Sequence, residues 1–99
     1  MIEVRNNMTV SVVQFKTEWS GASQIILPVY EELAHSYQGA VNFLSIDIDE
    51  DSAAAEEFGV TEIPTILFFR NGKVVDYVIG LTPKNVLIMK IENALTQNK

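Results

Sequence analysis

Few side chains in this 99-residue sequence could do chemistry. It contains no cysteine, which excludes disulfides, thiolate metal sites and cysteine nucleophiles together. His35 is the only histidine, and it lies in a predicted helix without an evident triad or metal-ligand partner. No glycine-rich phosphate loop is present. The residue types therefore give little basis for a catalytic centre or a bound cofactor, and we expect His35 to be structural or exposed.

An acidic run is the other candidate for chemistry, because carboxylates at close spacing can bind calcium. It consists of Asp47, Asp49, Glu50 and Asp51. An EF-hand loop needs glycine at its sixth position and glutamate at its twelfth, and this chain has Ser52 and Phe58 there. Acidic residues are also favoured at a helix start, where they interact with the helix dipole. We therefore predict no metal site.

Composition excludes several classes of partner. Thirteen acidic residues against seven basic ones give a formal charge of −6, which disfavours nucleic acid and anionic membranes. No apolar run approaches the roughly 20 residues of a membrane-spanning helix. The first residues lack the pattern of a signal peptide, so a cytoplasmic location is expected. The length suits one domain covering residues 1–99.

Patterning predicts the elements that must position any site. A β-branched run at 9–15 predicts a buried strand, and 41–47 a second one. Residues 65–69 and 73–79 flank Asn71-Gly72, a strong hairpin signal. Helices are predicted at 21–38, 52–58 and from Pro83 to about 96. Ser20 and Thr82 are the predicted N-caps, and Gly39 is expected to end the first helix. A kink is expected at Pro28.

The order of elements predicts the architecture. Strands 9–15 and 41–47 should be parallel with a right-handed crossover, and the Asn71-Gly72 hairpin antiparallel. The expected strand order is 41–47, 9–15, 65–69, 73–79. Helices then cover both faces, giving an α/β fold: a three-layer α/β/α sandwich around a four-stranded mixed sheet.

Several residues at set positions make the chain resemble the thioredoxin family. They are Trp19-Ser20-Gly21-Ala22-Ser23 after a strand, the helical Pro28, Asp47-Ile48-Asp49, Ile63-Pro64-Thr65 before a hairpin strand, and Gly80. The resemblance covers about 9–97 and implies a thioredoxin-like fold with a cis proline at Pro64. Family members usually begin with an outer strand and a helix, so an N-terminally trimmed version is expected. Residues 1–7 would fray or cover the edge of strand 41–47, where a weak homodimer is the alternative to a monomer.

The resemblance also indicates what has been lost. Ser20 and Ser23 stand where the family has its attacking and resolving cysteines, and an alcohol cannot form the mixed disulfide on which exchange depends. Gln14 replaces the family's buried Asp, Ser45 its nearby Lys and Ala22 the proline of its motif. We therefore predict a redox-inactive module that is not an enzyme, and we favour natural loss over a Cys-to-Ser form of a working thioredoxin.

The family's substrate groove does not depend on sulfur. By family match it is formed by Trp19, Gly21, Ala22, Ile63, Pro64, Thr65, Gly80 and Leu81. The resemblance implies that this shelf binds an unidentified peptide or protein. One alternative is purely structural: Trp19 packs on the sheet edge and Ile63-Pro64 shapes a loop. Another is a glutathione-dependent enzyme that uses the hydroxyl of Ser20.

Overall fold

The computed structural model describes residues 9–96. Within that range there are four strands and three helices. In chain order they are β1 (Val10–Lys16), α1 (Gly21–Ser36), β2 (Asn42–Asp47), α2 (Ser52–Glu57), β3 (Thr65–Arg70), β4 (Lys73–Ile79) and α3 (Lys84–Thr96). The prediction for residues 1–7 lies outside the described residues. No helix between residues 9 and 96 is long and apolar enough to span a membrane.

The sheet confirms the predicted strand order, β2-β1-β3-β4. β1 pairs in parallel with β2 and antiparallel with β3, and β3 pairs antiparallel with β4. Asn71 and Gly72 both have positive φ, which their hairpin turn requires. The mixed four-stranded sheet is therefore the predicted one, with β1 in its interior.

Each face of the sheet has its own apolar core. On one face, α1 and α3 pack against alternate residues of β1 and β3, with Phe68 fully buried. On the other face, the short helix α2 packs against the opposite set, with Phe15 fully buried. This alternation follows from the two-residue period of a strand, and it gives the three predicted layers.

All three helices differ from the prediction at one end, and α2 ends at Glu57 rather than at residue 58. α1 ends at Ser36 rather than at residue 38, and Tyr37 is its C-cap. Thr82 is not the N-cap of α3, because the helix begins at Lys84 rather than at Pro83; the hydroxyl of Thr82 donates to the carbonyl of Gly80 at 3.2 Å. The first helical hydrogen bonds instead run to the carbonyl of Pro83. The assigned helix continues through Pro28, which is exposed.

Tyr30 links the helix layer to the sheet. It is 4% exposed, and its hydroxyl donates to the carbonyl of Val12 at 2.9 Å and to that of Leu44. Burial raises the pKa of Tyr30 well above its ordinary value. Burial and the carboxylate of Glu92, which accepts from the hydroxyl at 2.6 Å, raise the pKa of Tyr37 to about 12. Both tyrosines are therefore held neutral by the fold.

These shifts predict a loss of stability in alkali. In the unfolded chain the two tyrosines ionise near their ordinary pKa of 10.0, whereas the folded chain keeps their protons. The contribution of these tyrosines to the free energy of unfolding should therefore be constant below pH 10. It should fall as the pH rises toward 12 and beyond, because the unfolded chain ionises first. Tyr30→Phe should lower the free energy of unfolding by about 1 kcal/mol at neutral pH, because the hydrogen bonds of the hydroxyl are lost. The same change should make the decrease in alkali less steep. Urea unfolding of both proteins across the pH range tests it; an equally steep fall in Tyr30→Phe would contradict it.

Candidate functional site

One end of the sheet collects the predicted binding residues. Phe15 pairs with Thr65, and Thr65 pairs with Ile79. The loop that leaves β1, the loop that enters β3 and the loop that leaves β4 therefore meet at this end. All eight residues of the predicted shelf lie on these loops, at the start of α1 or at the first position of β3. We refer to them as the shelf: Trp19, Gly21, Ala22, Ile63, Pro64, Thr65, Gly80 and Leu81.

The loop after β1 is tied to the turn after β2. The hydroxyl of Thr17 donates to the carboxylate of Asp49 at 2.6 Å and accepts from the backbone N–H of Trp19 at 3.3 Å. Lys16 and Asp47 are paired in the parallel ladder, so the two loops start side by side. The backbone of Trp19 is thus connected through Thr17 to the turn after β2.

The two serines at the start of α1 have different environments. Ser20 is the N-cap, and its Oγ accepts from the backbone N–H of Ser23 at 3.2 Å. Ser23 is 3% exposed, and its own Oγ has no hydrogen-bond partner among residues 9–96. A thiol at the position of Ser20 would have its pKa lowered by the helix N-terminus, but an alcohol stays protonated there. The geometry therefore suits a helix cap and not a nucleophile.

The loop before β3 is shaped around Pro64. The Ile63-Pro64 peptide bond is cis. The carbonyl of Pro64 accepts from the N–H of Gly80 at 2.7 Å, and Gly80 has φ +82°, a conformation that favours glycine. Among residues 9–96, neither the N–H nor the carbonyl of Ile63 forms a hydrogen bond with another backbone group. Within the described residues, these two groups therefore lie outside the backbone hydrogen-bond network.

Two large apolar side chains of the shelf are uncovered. Trp19 is 86% exposed and Leu81 is 55% exposed. Trp19 thus does not pack on the sheet edge, and this part of the structural alternative is wrong, because the loop carries the indole away from the core. Ile63 is half-buried and packs against the core of the α2 face. The structure thus leaves the indole of Trp19 exposed at the end of the sheet where the Ile63-Pro64 loop enters β3.

Gln14 lies in the sheet beneath this region and is fully buried. Its Oε1 accepts from the hydroxyl of Ser45 at 3.3 Å, but its Nε2 has no partner among the described residues. A buried donor without an acceptor costs about 1–3 kcal/mol. The buried side-chain amide of Gln14 therefore has a hydrogen bond at its oxygen and none at its nitrogen within the described residues.

The unpartnered amide nitrogen of Gln14 should lower the stability of the fold. Gln14→Met keeps the side-chain length and removes the unsatisfied donor, so the free energy of unfolding should rise by about 1 kcal/mol. Gln14→Asp should lower it at neutral pH, because a carboxylate would be buried without a counter-charge. Urea unfolding of the three proteins measures both changes. A destabilised Gln14→Met variant would show that the amide is satisfied in solution.

The acidic run has structural contacts. Asp51 is the N-cap of α2 and accepts from the N–H of Ala54, and Asp47 accepts from the N–H of Asp49. Within residues 9–96, no group of three or more histidine, aspartate or glutamate side chains is arranged to hold a metal ion. His35 is exposed in the last turn of α1.

The central strand, the helix N-terminus that follows it and the proline loop at the same sheet end define a protein of the thioredoxin fold class. The Thioredoxin family model matches residues 2–93, and the chain belongs to the thioredoxin family.

Named relatives support this assignment. The chain is 43% identical over 86 residues to a thioredoxin of Staphylococcus saprophyticus, covering 87% of this chain and 83% of the relative. It is 37% identical over 90 residues to Thioredoxin 2 of Chlorobaculum tepidum, covering 91% and 83%. Among solved structures, it is similar to a chain from a study of the thiol resolving mechanism in yeast mitochondrial 1-Cys peroxiredoxin. That match has a TM-score of 0.80 and 28% identity, and it covers 94% of this chain and 89% of the other.

Sequence reasoning missed two parts of this region. One is the contact of Thr17 with Asp49, which holds the Trp19 loop. The other is an apolar cleft that extends from the shelf along β3 and β4, with Tyr77 on its wall. The apolar residues of β4 could have indicated the cleft. The strand register is needed to show which of them lie on the same face of the sheet.

Proposed function

We propose that this chain is a redox-inactive member of the thioredoxin family that binds an extended peptide or protein segment at the shelf. The observation that carries the proposal is the 86% exposure of Trp19, in a loop whose backbone is held in place. Exposed apolar patches often mark interaction sites, and tryptophan is a frequent anchor of binding energy.

The backbone of Ile63 supports the mode of binding. Its free N–H and carbonyl can pair with a peptide in the manner of an added strand. Trp19 and Leu81 would then contact alternate side chains of that peptide. Main-chain pairing supplies affinity with little sequence preference, and the apolar contacts supply selectivity.

The absence of thiol chemistry follows from the residues present. With no cysteine in the sequence, this chain has no group that can form a mixed disulfide. Gln14 and Ala22 depart from the family pattern, and so do the two serines. Changes beyond the two cysteine positions support natural loss of the thiol chemistry over a Cys-to-Ser form of a working thioredoxin. The alternative of a glutathione-dependent enzyme has less support, because the role of Ser20 as a helix cap, accepting from the N–H of Ser23, needs no glutathione.

A fluorescence titration tests the proposal, because Trp19 is the only tryptophan. Short cysteine-free peptides selected by phage display against the full chain serve as probes. Saturable binding with a blue shift of the emission is expected, since the indole leaves water. Peptides that bind without changing the emission would overturn the assignment to the shelf, and failure to select any peptide would overturn the binding function.

A further inference from the structure

An apolar cleft continues from the shelf along the α2 face of the sheet. Its volume is about 350 Å³, and its apolar lining comes from Phe58, Val60, Leu67, Val74, Tyr77 and Ile79. Four of these side chains, those of Phe58, Val74, Tyr77 and Ile79, are 41–58% exposed. Leu67 pairs with Tyr77 in the ladder, so the cleft follows the strands.

The cleft and the shelf are continuous. Ile79 directly precedes Gly80 of the shelf, and Thr65 both lines the cleft and follows Pro64. From Ile79 to Val74 the strand extends about 17 Å. A peptide bound at the shelf in extended form would therefore place its next few residues in the cleft.

The charges around the cleft are of one sign on the α2 side. Residues 47–62 contain seven acidic residues and no lysine or arginine. Three of these acids border the cleft in sequence: Glu56 and Glu57 precede Phe58, and Glu62 follows Val60 by two residues, all of them exposed. We call these three residues the acidic rim.

The cations of the described residues mostly have other partners. Three lysines form ion pairs, Lys16 with Asp47, Lys84 with Glu32 and Lys90 with Asp76. Arg70 donates to the carbonyls of Ala94 and Leu95 on α3. Lys73 lies at the hairpin end of the cleft, beside Val74. Within residues 9–96, the exposed acidic rim takes part in none of these ion pairs.

We propose that the cleft binds the continuation of the peptide held at the shelf, and that this peptide carries apolar residues flanked by lysine or arginine. The inference rests on the proposed function and names the chemistry of the partner. The uncharged lining accepts apolar side chains, and the acidic rim attracts the flanking cations. A second copy of this chain is disfavoured as the occupant, because two acidic rims would repel each other.

The test uses a synthetic peptide made of two lysines, the alternating segment Val-Thr-Phe-Thr-Val and two further lysines. Its control carries glutamate in place of each lysine. Binding to the full chain is measured by ¹⁵N NMR titration, which reports the shelf and the cleft separately. The lysine peptide should shift amide signals in both regions and bind at least about tenfold more tightly than the glutamate peptide.

Two sets of variants locate the effect. The triple variant Glu56→Gln, Glu57→Gln and Glu62→Gln should weaken binding about tenfold, as should Tyr77→Ser. A matched triple variant, Glu31→Gln, Glu32→Gln and Glu92→Gln, changes the net charge equally, away from the rim, and should alter binding less than about twofold.

The outcomes separate the two proposals. Shifts confined to the shelf, with equal binding of both peptides, would overturn the cleft and leave the proposed function standing. Shifts confined to the cleft would overturn the shelf. Contacts of residues 1–8 with Tyr77 in the free protein, or a dimer abolished by Tyr77→Ser, would assign the cleft to another occupant and overturn the inference.

Discussion

Replacing Ser20 and Ser23 by cysteine is expected to convert a chain that contains no cysteine into one that turns over a disulfide substrate with dithiothreitol as the reductant. The first position is the N-cap of a 16-residue helix, where the dipole favours a thiolate. The second lies one turn on, within reach of the first, as the hydrogen bond from its N–H to Ser20 Oγ shows. We expect a rate roughly a hundredfold or more above buffer, since a positioned thiolate replaces a group that cannot react.

The single variants should differ from each other. A thiol at position 20 should react readily with iodoacetamide, whereas one at position 23 should react slowly, because Ser23 is 3% exposed. Ser36→Cys is the matched control, since it places an exposed thiol near the other end of the same helix, where the dipole disfavours a thiolate. A folded double variant with no activity would show that the helix start is not organised for thiol chemistry.

The second large effect is expected at Trp19. Because its side chain is 86% exposed, Trp19→Ala should change the free energy of unfolding by less than about 0.5 kcal/mol. The same change should weaken peptide binding by at least about 30-fold, which corresponds to the roughly 2 kcal/mol of a binding hot spot. Isothermal titration calorimetry with a selected cysteine-free peptide measures it without relying on the indole signal.

Met89→Ala is the control for this experiment. Met89 is 51% exposed on α3, so its removal deletes an exposed apolar side chain outside the shelf. It should leave the affinity within about twofold of the unmodified chain. Equal binding by the Trp19→Ala variant would remove the indole from the interface, whatever the behaviour of the control.

Much of the fold could be predicted because its signals are local. The β-branched runs and the Asn71-Gly72 turn predicted the strands and the hairpin, and their order predicted the sheet. Thr82 was predicted as a cap because its residue type and the following proline are typical of one. Its hydroxyl instead meets the carbonyl of Gly80, a contact made through the turn after β4 that a capping pattern does not reveal.

The site was less predictable for a physical reason. A tryptophan after a strand is compatible both with packing on the sheet and with exposure, and the sequence could not decide between them. The loop that carries Trp19 is connected by the hydroxyl of Thr17 to Asp49 in another loop, a contact between residues 32 positions apart. The cleft likewise depends on the register that places Tyr77 opposite Leu67. Such contacts between distant residues are set by the tertiary structure.

The most direct test of a binding role without thiol chemistry is a ¹⁵N NMR titration of the full chain with a selected cysteine-free peptide. The indole N–H of Trp19 and the amides of Ile63, Gly80 and Leu81 should shift together and saturate at one affinity. Saturable shifts that leave all four signals in place would contradict the assignment of binding to this end of the sheet.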